Sequence, residues 1–590
     1  MNRKIQILSL LFLGFSQFAF AQLKEEKLIL DRKREPEIKR IEKKKTSVER
    51  EKNYPPIQKK VEDSLHLKYE ITDVPPVSGF KTSTIQGADI APAFNSAYQD
   101  SYFRVGYGNY GKILADGNIS TVLENKTEVG ADVHYLSTNG LKKEYEWDSK
   151  QSQASLGAYL NSYGDQGKFS VNANYSLDNY NYYGIYALPA DAGQDLKQKT
   201  NIFSVSGYYD FYSNEILNDI RVKSSFLSDH FDAKETYADV LANLSKHGVS
   251  VYDDITMNAD LGLGLETQNT TFKILTGNSS DFLNLTAAPK LTFYRGKSYL
   301  TIGSGFAFLN GKNDNSLLSE KVKTSKTYWF PKAELLFAAA DEFKFYAGID
   351  GGLTMNSYAS LLQQNPYLLP DQYLKPGETQ YHIYFGLKGD IDQTVKYEVS
   401  AGYAKLKNMM FFAQNGLQSF DAVGQRNSYD YINTFSAVYD DGTVSSVKGS
   451  LQFFPLENLA LDAELNYSKY KLDHNNDIYN IPLLKAEIGA HYTMLNKKLL
   501  LGFIGFFATD RTANAFAVSS GINPDILIQT ENTDEKVGGY ADLNLSAEYK
   551  IHKNFSIFAL GNNLLNSSYQ TYKGYKVLGA QIAGGIKITF

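Results

Sequence analysis

Apolar and polar side chains alternate along most of the chain from residue 102 to residue 590. In residues 459–468, Leu, Leu, Ala, Leu and Tyr fill one set of alternate positions, and Ala, Asp, Glu, Asn and Ser fill the other. The same period of two recurs in 168–178, 485–492 and 542–550. Successive side chains of a strand point to opposite faces, so each stretch predicts a strand with one apolar and one polar face. Clusters of Gly, Asn, Asp and Lys between these stretches predict turns.

The last predicted strand of the chain has an apolar face that suits contact with lipid. Phe590, Ile588, Ile586 and Ile582 share one phase at the end of the chain. In hydrocarbon every backbone amide needs a partner within the protein, and among β structures only a closed barrel leaves no open edge. We therefore expect this strand to close against the first one, near residues 102–110, with these four residues facing lipid and Phe590 at the membrane interface.

These patterns predict an all-β protein, a transmembrane antiparallel β-barrel of about 22 strands with a short charged N-terminal periplasmic arm. A soluble β-sandwich also alternates and is the alternative. The barrel is favoured because strands continue over the whole stretch and aromatic residues collect near their ends, as in NYNYYGIY at 179–186. Tyr and Trp gather at the headgroup level of membrane barrels.

Composition supports a barrel and narrows the partners. The 590 residues include 43 Tyr and 35 Phe, yet the mean hydropathy is -0.34. After residue 22 there is no run of about 20 apolar residues, which a spanning helix requires, whereas a barrel strand needs only about 9 to 11 alternating residues. The absence of cysteine rules out a disulfide framework or a cysteine nucleophile. A net charge of -5 argues against nucleic acid as a partner.

The N-terminal region predicts export. Residues 1–21 have a positive start, an apolar core and alanines before a cleavage site at Gln22, as in a signal peptide; a short anchoring helix is the alternative. We expect residues 22–68 to be a charged, disordered periplasmic arm, because the stretch 23–60 holds 14 Lys or Arg and 8 Asp or Glu. The arm either docks on a partner protein or lipid headgroups, or is an inert solvated tail. Residues 69–101 are a proline-broken transition segment and a candidate for entering the lumen, and residues 102–590 are the barrel.

Two segments carry a family resemblance. The terminal segment has Asn-Leu-Leu-Asn at 563–566, then a series of Tyr and Gly residues, then the final Phe590. Residues 365–389, NPYLLPDQYLKPGETQYHIYFGLKG, form the second segment. Both resemble TonB-dependent receptors, which are outer-membrane transporters. The resemblance covers residues 102–590 and implies solute transport and an outer-membrane location, and the final aromatic resembles the signal read by the outer-membrane assembly machinery. The matching terminal residues are Asn563, Leu564, Leu565, Asn566, Tyr569, Tyr572, Gly574, Tyr575 and Phe590.

The chain departs from this family before the barrel. TonB-dependent receptors carry a plug of well over a hundred residues in the lumen, whereas only 80 residues run from Gln22 to Ser101, and the charged stretch 23–60 takes up about half of them. A barrel of this size without a plug leaves a wide aqueous hole. Inward loops, the transition segment or a partner protein are three candidates for closing it. The missing plug also argues against uptake driven by TonB.

Residues with candidate chemistry lie on the polar faces of the strands and in one loop. The eight histidines are scattered, and His134 and His491 lie on polar faces beside Asp132 and Glu487. Ordinary lumen polarity explains them better than catalysis does. The oxygen-rich loop Asp473–Asp477 is better explained as a turn than as a calcium site. We predict no catalytic, cofactor or metal site. The candidate lumen-facing residues are Lys168, Asp178, Lys396, Glu398, Asp462, Glu464, His491 and Glu548.

The sequence thus leaves two functions open for a non-enzymatic protein of the outer membrane. The first is passage of a solute across the membrane, with selectivity set by lumen charges. The second is a structural or assembly subunit of a larger outer-membrane complex. The expected partners are outer-membrane lipid, the assembly machinery, and periplasmic or outer-membrane proteins.

Overall fold

A computed structural model describes residues 101–590, except 124–125, 142–146, 188–194, 213–215, 316–319, 419–425 and 521–526. The predicted signal peptide, the charged arm and the transition segment up to residue 100 lie outside the described residues. In the part that is described, no helix is long and apolar enough to cross a membrane.

The described chain is built almost entirely of strands. The first half contains β1 (Tyr102–Gly108), β2 (Lys112–Leu123), β3 (Thr127–Thr138), β4 (Gln151–Tyr163), β5 (Gly167–Asn181), β6 (Lys197–Phe211), β7 (Leu217–Asp229), β8 (Lys234–Tyr252), β9 (Ile255–Thr271), β10 (Asn278–Arg295), β11 (Ser298–Asn315), β12 (Glu320–Ala338) and β13 (Lys344–Thr354). The second half contains a helix, α1 (Tyr358–Gln364), and then β14 (Gly377–Ile391), β15 (Val395–Gln414), β16 (Phe435–Leu456), β17 (Leu459–Leu472), β18 (Leu484–Met494), β19 (Leu499–Ala508), β20 (Arg511–Ser520), β21 (Leu527–Val537), β22 (Tyr540–His552), β23 (Phe555–Asn562), β24 (Gln570–Tyr572), β25 (Tyr575–Lys576) and β26 (Gln581–Thr589).

Twenty-two of these strands form one closed antiparallel sheet. Each barrel strand pairs with the next along the chain, and the hairpins β20–β21 and β24–β25 stand outside the sheet. The ring closes where β1 pairs with β26, with Val105 opposite Ile586 and Phe103 opposite Ile588. The backbone N–H of Phe590 donates to the carbonyl of Ser101 at 2.8 Å. The predicted barrel, its strand number and its closure by the terminal strand are confirmed.

The two phases of the wall differ in exposure. On β26, Ile582, Ile586 and Ile588 are exposed, as is Phe590 directly after it, whereas the alternate residue Lys587 is buried. Large exposed apolar side chains follow the same alternation on the other barrel strands. Directly paired residues of neighbouring strands share a face of the sheet, so these side chains lie on one side of the wall. A barrel in lipid presents its apolar phase outward, so this exposed apolar phase is the outer surface.

The two ends of the barrel carry different connections. At one end, turns such as Asp253–Asp254 between β8 and β9 are short. At the other end, long connections such as 355–376, 415–434 and 509–539 contain α1 and the hairpin β20–β21. Outer-membrane barrels have short periplasmic turns and longer extracellular loops. The end with the long connections is therefore the extracellular end, and Phe590 lies at the periplasmic end.

Candidate functional site: a loop cap over the barrel

The largest apolar core of the described residues lies in the extracellular loops and the strand ends that carry them. It draws on the connections that follow β3, β5, β7, β9, β13, β15 and β23. We call this packed set the loop cap. Its buried core residues are Leu141, Trp147, Tyr180, Tyr182, Tyr183, Ile185, Leu196, Leu227, Ala233, Phe272, Tyr358, Leu361, Leu362, Tyr367, Leu368, Leu369, Leu374, Phe412, Tyr429, Tyr431, Phe435, Ala437, Tyr575 and Leu578.

Hydrogen bonds within the loop cap join loops from opposite sides of the barrel mouth. The amide of Asn433 donates to the carbonyl of Tyr182 at 2.6 Å, and the Tyr182 hydroxyl donates to the carbonyl of Leu368 at 2.7 Å. Tyr182 follows β5 and Asn433 follows β15, and these strands stand ten positions apart in a ring of 22. Strands that far apart lie on nearly opposite walls, so the bonds between their loops cross the opening.

The centre of the loop cap is a tight group of tyrosines. The rings of Tyr367 and Tyr575 are stacked, with centroids 3.4 Å apart, and the ring of Tyr183 meets Tyr575 edge-on at 5.0 Å. A Cβ at Gly184 would lie 2.4 Å from the Tyr575 ring. A Cβ at Gly574, which has a φ of +87°, would lie 2.3 Å from the Gly184 carbonyl oxygen. Only glycine fits at these two positions, because both the space and one backbone angle exclude a larger residue.

Buried carboxylates fasten α1 to the barrel wall. Glu235, at the start of β8, accepts the backbone N–H groups of Tyr358 at 2.6 Å and Ala359 at 2.9 Å, and it accepts the Thr270 hydroxyl at 2.7 Å. The Tyr358 hydroxyl donates to Asp229 at 3.1 Å. Burial, together with the charge of Asp229, raises the pKa of Tyr358 well above its usual range. The phenol therefore keeps the proton with which it holds this carboxylate.

The two segments that carry the family resemblance meet in the loop cap. In the segment 365–389, Asp371 accepts hydrogen bonds from the backbone N–H of Thr276 at 2.7 Å and from its hydroxyl at 2.6 Å. In the terminal segment, the Tyr572 hydroxyl donates to the carbonyl of Gln364 at 2.9 Å, and Tyr575 donates to the carbonyl of Asn433. The sequence offered inward loops as one of three candidates for closing the barrel and marked Tyr572 and Tyr575 as family features, but it did not place them in such loops. The available signal was the run of Tyr, Leu and Pro in connections too long for a hairpin turn.

The predicted lumen-facing residues lie on five strands and do not form one cluster. Lys168 and Asp178 lie on β5, Lys396 and Glu398 on β15, Asp462 and Glu464 on β17, His491 on β18, and Glu548 on β22. All eight occupy the phase opposite to the exposed apolar residues of their strands. Glu398 accepts the hydroxyl of Tyr346 at 2.5 Å, and the Lys168 amine lies 5.1 Å from the ring centroid of Tyr163. The arrangement provides a polar wall with separated charges.

A row of charges crosses the seam where the barrel closes, and sequence reasoning named only part of it. Arg104 on β1 pairs with Asp116 on β2, which also contacts the imidazole of His134 on β3. On the other side of the seam, Lys587 on β26 lies 3.5 Å from Glu548 on β22. We call these five residues the seam network. Asp116, Glu548 and Lys587 are buried, so the charges depend on one another for compensation.

The loop at Asp473–Asp477 is held by a carboxylate on the neighbouring strand. The Asp440 carboxylate is hydrogen-bonded to the ring nitrogen Nδ1 of His474 at 2.7 Å. It also accepts a hydrogen bond from the backbone N–H of Asn475 at 2.7 Å. Residues 473–477 form a bent loop with no regular helix or strand. In the described part of the chain no group of three metal-binding side chains was found.

We expect the attachment of this loop to weaken as the pH rises. The hydrogen bond to Asp440 and the charge of that carboxylate raise the pKa of His474 above its ordinary value. A group whose pKa is raised by folding stabilises the folded state most below its unfolded pKa, and that stabilisation disappears as the pH passes the raised value. Hydrogen exchange of residues 473–480, corrected for intrinsic rates, should show more protection at about pH 5.5 than at about pH 9. His474→Gln should remove the difference, and equal protection at both pH values in the unsubstituted chain would contradict the assignment.

Taken together, these features define an outer-membrane β-barrel protein whose extracellular mouth is crossed by a packed loop cap. The sequence matches no protein-family model and no curated protein. The structure is similar to the siderophore receptor PiuA from Acinetobacter baumannii, with a TM-score of 0.58 and 11% identity over 84% of this chain and 82% of that one. It is similar to the ferric-catecholate import receptor Fiu from E. coli K12, with a TM-score of 0.59 and 11% identity over 83% and 82% of the two chains.

The copper transporter OprC is also similar, with a TM-score of 0.55 and 13% identity over 83% of this chain and 80% of that one. At these identities the likeness establishes the fold. The resemblance to TonB-dependent receptors in residues 102–590 is confirmed at that level, and so is the outer-membrane location. By their names, two of these three proteins are receptors and the third is a transporter.

Proposed function

We propose that this chain passes a solute across the outer membrane through its barrel, with the loop cap as the extracellular closure. The observation that carries the proposal is the likeness of the whole barrel to receptors and transporters named for siderophores, a ferric catecholate and copper. A barrel of 22 strands encloses a lumen wide enough for such solutes once its occlusion is relieved.

The polar phase of the wall supports a charged or strongly polar solute. In this proposal Lys168, Asp178, Lys396, Glu398, Asp462, Glu464, His491 and Glu548 line the path. Because both signs of charge are present on the wall, we expect selectivity to come from local groups such as Asp462 and Glu464 on β17, not from one uniform field. The charged arm, residues 22–68, is proposed as the contact for a periplasmic partner.

Ligand binding and conductance by the full chain test the proposal. Reconstituted protein should bind a ferric siderophore or copper(II), detected as quenching of tyrosine and tryptophan fluorescence, and should conduct ions in planar bilayers when the loop cap opens. Asp462→Asn combined with Glu464→Gln should alter ion selectivity, while Asp254→Asn at a periplasmic turn should leave it unchanged. A folded barrel that neither binds these solutes nor conducts with the cap displaced would contradict transport.

A structural role is the second candidate, and the packing of the loop cap favours it. Tyr182, Tyr358, Tyr431 and Tyr575 are fully buried in that core, as side chains are in a stable protein interior. A permanently closed mouth suits a subunit that anchors a larger outer-membrane complex. After gentle solubilisation, such a subunit should co-purify with partner proteins, and deletion of residues 22–60 should release periplasmic ones. Migration of the intact chain alone would count against this role.

A further inference from the structure

The outer wall of the barrel has a groove where one strand contains a proline. Pairing of β10 with β11 is interrupted between Ala287 and Lys290, and Pro289 lies in that gap. Proline has no backbone N–H to give to the ladder. Beside this interruption is a mostly apolar groove of about 690 Å³. Its lining includes Lys246, Ala259, Leu261, Leu291, Ile302 and Ser304.

Register places the apolar lining on the outer surface. Leu291 pairs with Ile302 on one side and with Ala259 on the other, and Ala259 pairs with Lys246. Leu291 and Ile302 are 41% and 53% exposed, like the other large apolar residues of the outer phase. Paired residues share a face of the sheet, so this row of four faces the membrane. A second row, Leu244, Leu261 and Pro289, lies beside it in the same phase.

The groove lies near the periplasmic leaflet. Leu291 and Ile302 are each five residues from the short turn Gly296–Lys297, a distance of about 17 Å along a strand. The neighbouring turn carries Asp254, whose carboxylate lies 2.8 Å from the Arg295 guanidinium. Such exposed charges belong to the aqueous side of the headgroups. The adjoining lipid is therefore that of the periplasmic leaflet, not that of the outer leaflet.

We propose that this groove binds one phospholipid of the periplasmic leaflet. The small side chain of Ala259 and the broken ladder at Pro289 make the depression, and an acyl chain fills it over Leu261 and Leu291. Lys246, in the outer row, pairs with the lipid phosphate, because a long basic side chain near the membrane boundary extends towards anionic headgroups. A volume of about 690 Å³ falls in the range of about 300–1,000 Å³ that is typical of small-molecule sites. This inference does not depend on the solute or on transport.

Native mass spectrometry of the full-length protein, purified from membranes in mild detergent, tests the proposal. We expect one phospholipid to remain on the unsubstituted chain. Ala259→Phe, which fills the groove, should reduce the lipid-bound fraction about tenfold, and Lys246→Gln should reduce it several-fold. Ala347→Phe is the matched control, since Ala347 on β13 pairs with the exposed residues Leu335 and Phe385 and is away from the groove. This control should retain the lipid.

A second filling variant protects the test against a folding defect. Ser304→Leu acts from β11, and folding of every variant is checked by the shift in gel mobility between unheated and heated samples. Equal phospholipid retention in both folded filling variants and in the control would overturn the proposal. So would a lipopolysaccharide or a protein bound to the native chain in place of the phospholipid.

Discussion

A single methyl group at Gly184 should open the loop cap and raise the conductance of the reconstituted barrel at least severalfold. The added Cβ would lie 2.4 Å from the ring of Tyr575, and that ring is stacked on Tyr367. Overpacking of a filled core costs about 1–3 kcal/mol. Gly574 lies close to the carbonyl group of Gly184, so the backbone at Gly184 has little room to move away from the Tyr575 ring. Planar-bilayer recordings of Gly184→Ala measure the effect directly.

The control for this substitution is Gly449→Ala on β16. A Cβ at Gly449 would meet no atom within 4 Å, so conductance should stay at the level of the unsubstituted chain. Tyr575→Ala alters the same contact by removing the fully buried ring of Tyr575. Loss of a large buried aromatic side chain lowers the free energy of unfolding by about 3–5 kcal/mol. Faster hydrogen exchange in residues 365–375 should accompany both cap variants. Conductance unchanged in both would mean that the loop cap is not the barrier.

The barrel was predictable because its physical cause is local. Each spanning strand must place apolar side chains in lipid at every second position. Apolar residues therefore recur with a period of two in stretches such as 459–468. Closure followed from backbone pairing, since a strand ending at Phe590 cannot leave an open edge in hydrocarbon. The structure pairs it with β1, where Phe103 meets Ile588. Strand pattern and backbone satisfaction together therefore gave the fold and the strand number.

The loop cap was not predictable in the same way, because its contacts join distant parts of the chain. Three connections that are far apart in the sequence contribute Tyr182, Tyr367 and Tyr575. Loop sequences have no periodic pattern from which the burial of these side chains could be predicted. The family-like segments marked two of these residues, but a resemblance gives no distances. Only part of the seam network was predicted, for a related reason. A polar phase predicts that Arg104 and Asp116 lie away from lipid, and only the structure shows that they touch.

The packed cap closes the extracellular mouth within the part of the chain that the structure describes. In a receptor-like barrel the lumen has to be occluded at some level, and here the extracellular loops supply a core of their own at the mouth. Asn433 and Tyr182 join nearly opposite walls, so loosening the cap requires separating loops that belong to different sides of the barrel. The wall is held by its ladder and, at the seam, by charges.

Asp116→Asn should destabilise the barrel by about 3–5 kcal/mol, because removing one member of a buried charge network leaves the others uncompensated. Asp116 is the carboxylate that faces both Arg104 and His134 across β1, β2 and β3, and Lys587 adds a further positive charge opposite Arg104 in the register. Unfolding of the protein in lipid vesicles by guanidinium, followed by tryptophan fluorescence, measures the change in the free energy of unfolding. This seam is where the ring closes, so weakened pairing there opens the whole sheet.

The matched control removes a carboxylate from an exposed pair. Asp254 lies 2.8 Å from the Arg295 guanidinium at a periplasmic turn, and both side chains are exposed. Exposed pairs contribute about 0–1 kcal/mol, so Asp254→Asn should leave the unfolding curve nearly unchanged. Arg104→Gln added to Asp116→Asn should recover part of the lost stability, because the uncompensated guanidinium is then gone. If Asp116→Asn and Asp254→Asn have the same small effect, the seam is held by the β1–β26 ladder alone, and the buried charges contribute nothing to closure.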